Sequence, residues 1–185
     1  MQRKDHTGEC VQNPSTAFTV GPTSLWPELR ALLLKITVIV GIVVLLFTFV
    51  YGLHYNREPG MYPAVKDGDL VLYYRLGKNY HANDVLLVVF EGKTQVRRVI
   101  ATAGDTVDIN EEGLTINGAL QQEPDIYQET QRYAQGAAFP LTLADDEVFV
   151  LGDARENATD SRIYGSVKTR DTRGTVISIL RRRNL

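Results

Sequence analysis

A single cysteine, Cys10, is all the thiol chemistry in this chain of 185 residues. It stands near the N-terminus, so the sequence offers neither a disulfide framework nor a thiolate metal centre. The three histidines, His6, His54 and His81, are scattered without a ligand spacing, and no metal or other cofactor is expected. No glycine-rich phosphate loop occurs, which leaves no nucleotide motif. Neither sign of charge dominates: 20 basic side chains meet 22 acidic ones, for a formal net charge of -2. That balance gives no electrostatic case for a nucleic-acid partner. The short basic run Arg181 to Arg183 reads as a solvated end, with contact to anionic headgroups if it lies near a membrane. Serine is missing from Leu25 to Asp160, and no internal repeat is visible.

What the chain does have is one long apolar run. Ile36 to Leu53 carries no charge, and extending it back to Ala31 adds only Lys35, which can snorkel to an interface. About 20 apolar residues suffice to cross the hydrocarbon core as a helix. A soluble core helix would rarely be apolar on every face. A cleavable signal peptide is disfavoured by the long polar lead and the length of the run. The expected organisation is therefore a cytoplasmic segment 1–30, a transmembrane helix 31–53 and an extracytoplasmic domain 54–185. Tyr51 and Tyr55 are expected at the far interface, and Arg30 and Lys35 favour a cytoplasmic N-terminus.

Beyond Asp67 the pattern is of short strands and turns. Leu70–Tyr74, Val85–Phe90, Gln95–Ile100, Leu114–Ile116, Val148–Leu151 and Gly174–Leu180 are apolar or β-branched runs bounded by turn residues. Glu91-Gly92-Lys93 reads as a hairpin loop and Asn117-Gly118 as a tight hairpin turn. Residues 121–140 are polar and aperiodic, an excursion from the core. The fold class is mainly β, with antiparallel pairing behind one N-terminal helix.

Three stretches stand out: GMYPAVKDGDLVL from Gly60, VRRVIATAGDTV from Val96 and GDARENATDSRIYG from Gly152. Each Gly-Asp pair alone is turn chemistry. Their order and spacing behind one anchor resemble the boxes of type I signal peptidases, the membrane-bound serine proteases of family S26. The resemblance runs from the anchor to the C-terminus. It implies a mostly β ectodomain with its active site at the membrane surface. It also implies a serine nucleophile with a neutral lysine as its base, a pairing that needs a depressed lysine pKa.

The serine position falls on Gly60 and the lysine position on Arg97. Glycine has no nucleophilic atom, and arginine stays protonated at any relevant pH. The resemblance implies further polar positions that are alanine here: Ala64, Ala154 and Ala158. Ala101 and Ala103 stand where the family has glycine and proline. The residues that still match are Met61, Pro63, Gly104, Asp105, Gly152, Asp153, Arg155, Asp160, Ser161, Arg162 and Gly165, with Tyr62 beside them. Asp160 and Arg162 are expected to share a charge-assisted hydrogen bond. The backbone N–H of Gly60 is retained, so part of an oxyanion pocket can outlast the nucleophile.

Rescue from elsewhere is disfavoured. Thr94, Thr102 and Thr106 lack a base; Lys93 sits in the expected hairpin loop, about 13 Å along the strand from Arg97. Strand alternation would point Tyr62 away from position 60. The favoured expectation is a non-proteolytic protein whose groove still takes an extended peptide by strand addition. It resembles the catalytically degenerate signal-peptidase-like pilus assembly proteins of Gram-positive bacteria, of the streptococcal type. That resemblance implies chaperone-like work on pilin segments with a sortase as partner. The alternatives are an active signal peptidase with another nucleophile and a purely structural membrane protein, since fold membership does not fix function.

Overall fold

The structure, a computed structural model, describes residues 25–181. His6, Cys10, Arg182, Arg183 and most of the expected segment 1–30 lie outside the described residues. The chain divides into two units, Met1–Val40 and Gly41–Leu185. Helix α1 (Leu25–Leu45) begins in the first and ends in the second, closing in a π-helical turn, Leu46–Val50. Pro27 is tolerated in its first turn, where backbone N–H groups have no helical partner in any case. All of α1 is exposed, which excludes a soluble core helix. The threonines of the helix and its π-helical turn satisfy themselves: the hydroxyls of Thr37 and Thr48 donate to the carbonyls of Leu33 and Val44 at 2.9 and 2.7 Å. By length and composition Leu25–Val50 is able to cross a membrane, at about 39 Å for its 26 residues against a hydrocarbon core of about 30 Å.

The helical span differs from the expected 31–53 at both ends. Tyr51–Leu53 are not helical; they belong to β1 (Tyr51–Tyr55), which pairs antiparallel with β2 (Leu70–Tyr74) from Tyr51↔Tyr74 to Tyr55↔Leu70. Aromatic residues in alternation favour a strand once a partner exists, and that partner is distant in sequence.

The remaining strands are β3 (Val85–Phe90), β4 (Lys93–Ala101), β5 (Thr106–Asn110), β6 (Gly113–Ile116), β7 (Ala119–Leu120), β8 (Leu141–Thr142), β9 (Glu147–Leu151), β10 (Val167–Lys168) and β11 (Thr172–Leu180). A seven-stranded sheet runs β1-β2-β11-β3-β4-β9-β10, and a four-stranded one β7-β6-β5-β8. Among the described residues the strand pairings are antiparallel, so the chain is mainly β, as its residue pattern indicates. Glu91-Gly92 and Asn117-Gly118 both take positive φ and close two-residue hairpins. Lys93, expected in the loop, instead starts β4 opposite Phe90 and is exposed.

Strand β3 reads as a continuous apolar run because both its faces are covered. Leu86 and Val88 join Val99, Val148 and Val150 on one side, while Leu87 joins Met61, Val65, Val71, Tyr73 and Val96 on the other. A third cluster, around Ile109, Leu114 and Phe149, supports the smaller sheet. The second cluster of these matters most for function, since Met61 and Val65 press the Gly60 segment onto β4.

Candidate functional site

The segment between β1 and β2 is a closed loop. Asn56, fully buried, donates through its amide to the carbonyls of Glu58 and Lys66 at 2.8 and 2.9 Å. Buried Asp69 accepts from the Lys66 N–H at 2.9 Å. Within this frame Gly60 to Ala64 forms turns, with Tyr62 N–H donating to the Pro59 carbonyl and Val65 N–H to the Met61 carbonyl. The expectation of strand alternation at Tyr62 therefore fails, because the loop closes too tightly for an extended chain. Tyr62 nonetheless faces solvent, with the Lys66 ammonium over its ring at 5.4 Å.

The α-carbon of Gly60 lies against the guanidinium of Arg97. A β-carbon there would sit 3.1 Å from Nη1 and 3.4 Å from both Cζ and Nη2. Arg97 projects from β4 and is entirely buried. A charge in that position must be paired and hydrogen-bonded, and it is. Nη1 and Nη2 donate to the two carboxylate oxygens of Glu58 at 2.5 and 3.3 Å, and Nε and Nη2 to the Thr159 carbonyl at 3.0 and 2.8 Å. Nη1 also reaches the Val96 carbonyl. The fork geometry of arginine makes this possible, where a lysine would offer one point charge. Tyr164, its ring tilted against Phe90 at 4.4 Å, is half-buried nearby; that burial pushes its hydroxyl well above the usual tyrosine range, and the Arg97 charge only partly opposes the shift.

The third box wraps the other side of Gly60. The Ala154 N–H donates to the Gly60 carbonyl at 3.1 Å. Gly152 packs so closely that a β-carbon would meet the Gly60 oxygen at 2.4 Å and Ala158 Cβ at 2.3 Å. Asp160 and Arg162 are buried together. Arg162 Nε and Nη2 each donate to an Asp160 oxygen at 2.9 Å, and Asp160 also caps α2 (Ser161–Tyr164) by accepting from Arg162 N–H. Its second oxygen accepts from Gly152 N–H at 3.1 Å. The Ser161 hydroxyl accepts from Val150 N–H at 3.0 Å and is fully buried, which makes it a strut of β9. Gly165 ends α2 with φ of 80°.

Asp153 and Arg155 extend the network outward. Asp153 takes two bonds from Arg98, at 2.8 and 2.6 Å, and this bonding raises the Arg98 pKa further. Arg155, buried, donates to the Gly152 carbonyl and clasps both oxygens of Glu123 at 2.8 and 2.5 Å, with Thr130 beside them. The 121–140 excursion is thus tied to the third box. By contrast, Gly104 and Asp105 join in none of these contacts: Asp105 accepts from Thr102 and Asn117, and Gly104 N–H donates to Leu143, all at the entry to the smaller sheet. The threonines weighed as substitutes are engaged elsewhere. Thr94 accepts from Arg173, Thr102 bonds Asp105 and Thr106 pairs with Thr142.

Sequence reasoning missed Glu58, Thr159, Asn56 and Glu123. A signal for Glu58 existed: a buried arginine requires a carboxylate, and Glu58 lies two residues from Gly60. Nothing in the sequence ranks it above the chain's other acids. Beside this arrangement opens a cavity of about 470 Å³, bounded by Pro59, Tyr62 and Pro63 on one side and Tyr127 and Gln128 on the other, with Ala154 between.

The arrangement has neither a hydroxyl nor a thiol at position 60, and the cation at position 97 cannot give up its proton.

A family model described as signal peptidase, peptidase S26, matches residues 29–180. The chain is 27% identical over 155 residues to a protein named probable signal peptidase I-1 from Synechocystis, covering 77% of each chain. It is 27% identical over 137 residues to signal peptidase I S of Bacillus subtilis, covering 69% of this chain and 74% of that one. With signal peptidase IB of Staphylococcus aureus it shares 27% over 158 residues, 76% of this chain and 83% of that one. A solved signal peptidase I from Enterococcus faecalis overlays 54% of this chain and 97% of its own, with a TM-score of 0.44 at 24% identity. Matched over most of its length by the family model, the chain belongs to the signal peptidase family, peptidase S26.

Proposed function

We propose that this chain is a membrane-anchored signal peptidase I-like protein that binds without cutting. It holds an extended segment of an exported protein as a chaperone-like factor in sortase-dependent pilus assembly. Its N-terminus is cytoplasmic and its β domain extracytoplasmic. The observation that carries the non-proteolytic part is the Arg97–Glu58 pair, buried on the arginine side and pressed against the bare α-carbon of Gly60. A permanently charged, fully hydrogen-bonded group occupies the position that the family resemblance gives to a neutral base, and no nucleophile stands before it. The cavity between Tyr62 and Tyr127 supports the binding part, since it offers an apolar, largely preformed cleft next to that position.

Purified full-length protein in detergent, incubated with a signal-peptide-bearing precursor, should release no product while the Bacillus subtilis relative cleaves it. A photo-crosslinker at position 62 should capture the precursor all the same. A defined cleavage product from the unaltered chain overturns the proposal. Capture of nothing at position 62 leaves only a structural membrane protein. For the pilus assignment, deleting the gene should abolish polymerisation of pilins and re-expression should restore it; polymers of normal length in the deletion strain refute it.

A further inference from the structure

The cavity beside Gly60 does not end at Tyr127 and Gln128. The same two residues line a second, larger hollow of about 850 Å³ between the β5–β6 hairpin and the 121–132 segment. Tyr127 stands between the two, 90% exposed. The floor of the larger hollow is apolar, from Ile109, Leu114, Leu120 and Ile126. Its rim is acidic. Glu111 and Glu112 edge it from the hairpin turn and Glu129 from the facing segment, while Asp125 edges the smaller cavity. All four are exposed, and among the described residues none of them forms an ion pair. The other charges of the two linings are already paired: Glu123 with Arg155, Asp153 with Arg98, and Arg132, the one cation of the larger hollow, with Asp108. Four exposed acidic side chains without an ion-pair partner therefore edge the two cavities of a chain whose formal net charge is only -2.

We propose that the joined cavities form one channel for an extended cationic peptide, apolar side chains down and lysine or arginine side chains toward Glu111, Glu112, Asp125 and Glu129. This rests on the peptide-holding function above and names the client's chemistry. Like charges lining a cleft with low-dielectric walls focus their field and select the opposite sign. An anionic lipid surface or a nucleic acid is repelled by the same field. A metal ion is a poor occupant, because among the described residues no three acidic, histidine or cysteine side chains converge. An extended chain fits the shape, since alternate residues face floor and rim at about 3.3 Å per step. The wall is preformed by the Arg155 clasp on Glu123 and Thr130, so binding need not order it.

The test uses full-length protein in a neutral detergent and a fluorescein-labelled peptide of about twelve residues in which lysine alternates with alanine or leucine. Two control peptides carry glutamine or glutamate in place of lysine. Anisotropy should show the glutamine peptide bound about tenfold more weakly than the lysine peptide, and the glutamate peptide weaker still. The Glu111→Gln, Glu112→Gln, Glu129→Gln triple variant should bind the lysine peptide no better than the glutamine one, with its thermal midpoint unchanged. The preference should fade as salt rises and the screening length falls below about 10 Å. Equal binding of all three peptides, with crosslinking at position 62 retained, overturns the cationic selection and leaves the peptide-holding function standing. No binding and no crosslinking by any peptide removes both. A self-associated protein that the triple variant dissociates would assign the channel to a second copy of this chain and equally overturn the proposal.

Discussion

Placing a serine at position 60 should be harmful before it is useful. In Gly60→Ser the new Cβ arrives 3.1 Å from Arg97 Nη1 and 3.4 Å from Cζ and Nη2. The backbone is no obstacle, because Gly60 is not among the glycines with positive φ. The obstacle is the guanidinium, which is pinned by Glu58, Thr159 and the Val96 carbonyl and has nowhere to retreat. Overpacking a rigid site costs about 1–3 kcal/mol. In Arg97→Lys the fork is lost, and with it the bonds to Thr159 and one carboxylate oxygen; for charge-assisted bonds this is about 2–4 kcal/mol. The ammonium is smaller, however, so the double variant should recover about 1–2 kcal/mol relative to the sum of the singles. Thermal or urea unfolding of the four proteins reads this coupling, at roughly 3 °C of midpoint per kcal/mol for a domain of this size. Strict additivity would refute the idea that glycine at 60 makes room for arginine at 97. Cleavage adds a second readout. A lysine at 97 would face the Glu58 carboxylate, and an opposite charge at that range favours the protonated form. The double variant should therefore remain inactive on a signal-peptide precursor, and product should first appear when Glu58→Ser is added. A double variant as active as the triple would show that Glu58 does not hold position 97 charged.

Two further outcomes follow from the same contacts. Gly152→Ala drives a methyl group to 2.3 Å from Ala158 Cβ and 2.4 Å from the Gly60 oxygen, so it should cost about 3 kcal/mol or more and lower the yield of folded protein; a midpoint within about 1 °C of the parent would contradict the close packing of these two loops. His54 is held below the usual histidine range first by burial and then by Arg173, with Glu58 opposing, so the folded state binds its proton less readily than the unfolded one. Stability from this group is present above about pH 6.5 and declines as pH falls through the depressed folded value; the decline should be shallower in His54→Gln, as unfolding midpoints between about pH 5 and 7 will show.

The strands that repeated their own chemistry were legible from sequence. Leu70–Tyr74 and Val85–Phe90 match β2 and β3 to the residue, because each is a short apolar run stopped by turn residues. Asn117-Gly118 forms the hairpin that its φ requirements demand. Strand β1 was not legible. Tyr51–Leu53 continue the apolar run of the helix without a break, and what makes them a strand is a partner about twenty residues on. The pair of positions 60 and 97 could be marked as empty, but not as filled. That Glu58 closes on Arg97 depends on the loop between Asn56 and Asp69, whose closing hydrogen bonds, from Asn56 to Lys66, Gly68 and Asp69, join residues ten or more apart and leave no local pattern. Likewise the excursion from 121 to 140 has no periodicity. Its order comes from Glu123 and Thr130 meeting Arg155 and from the Tyr133 ring beneath Arg162.

Those attachments are separate from the contacts that hold positions 60 and 97. Gly60 is held by the Asn56–Asp69 loop and faces Arg97 on β4. The groove walls are held by other elements: Arg155 on Glu123, Arg162 on Asp160 and Arg98 on Asp153. Each of these pairs buries an arginine or aspartate side chain, and a buried charge stripped of its partner costs about 3–5 kcal/mol. Such pairs resist piecemeal loss, and at positions 60 and 97 the glycine and the self-satisfied ion pair likewise leave no orphaned charge. On the proposed reading, positions 60 and 97 can therefore do without a nucleophile and a base without loosening the third box or the 121–140 excursion. The matching residues of that box, Asp153, Arg155, Asp160 and Arg162, are explained by the shape they maintain, and none of them needs a catalytic role to account for its contacts.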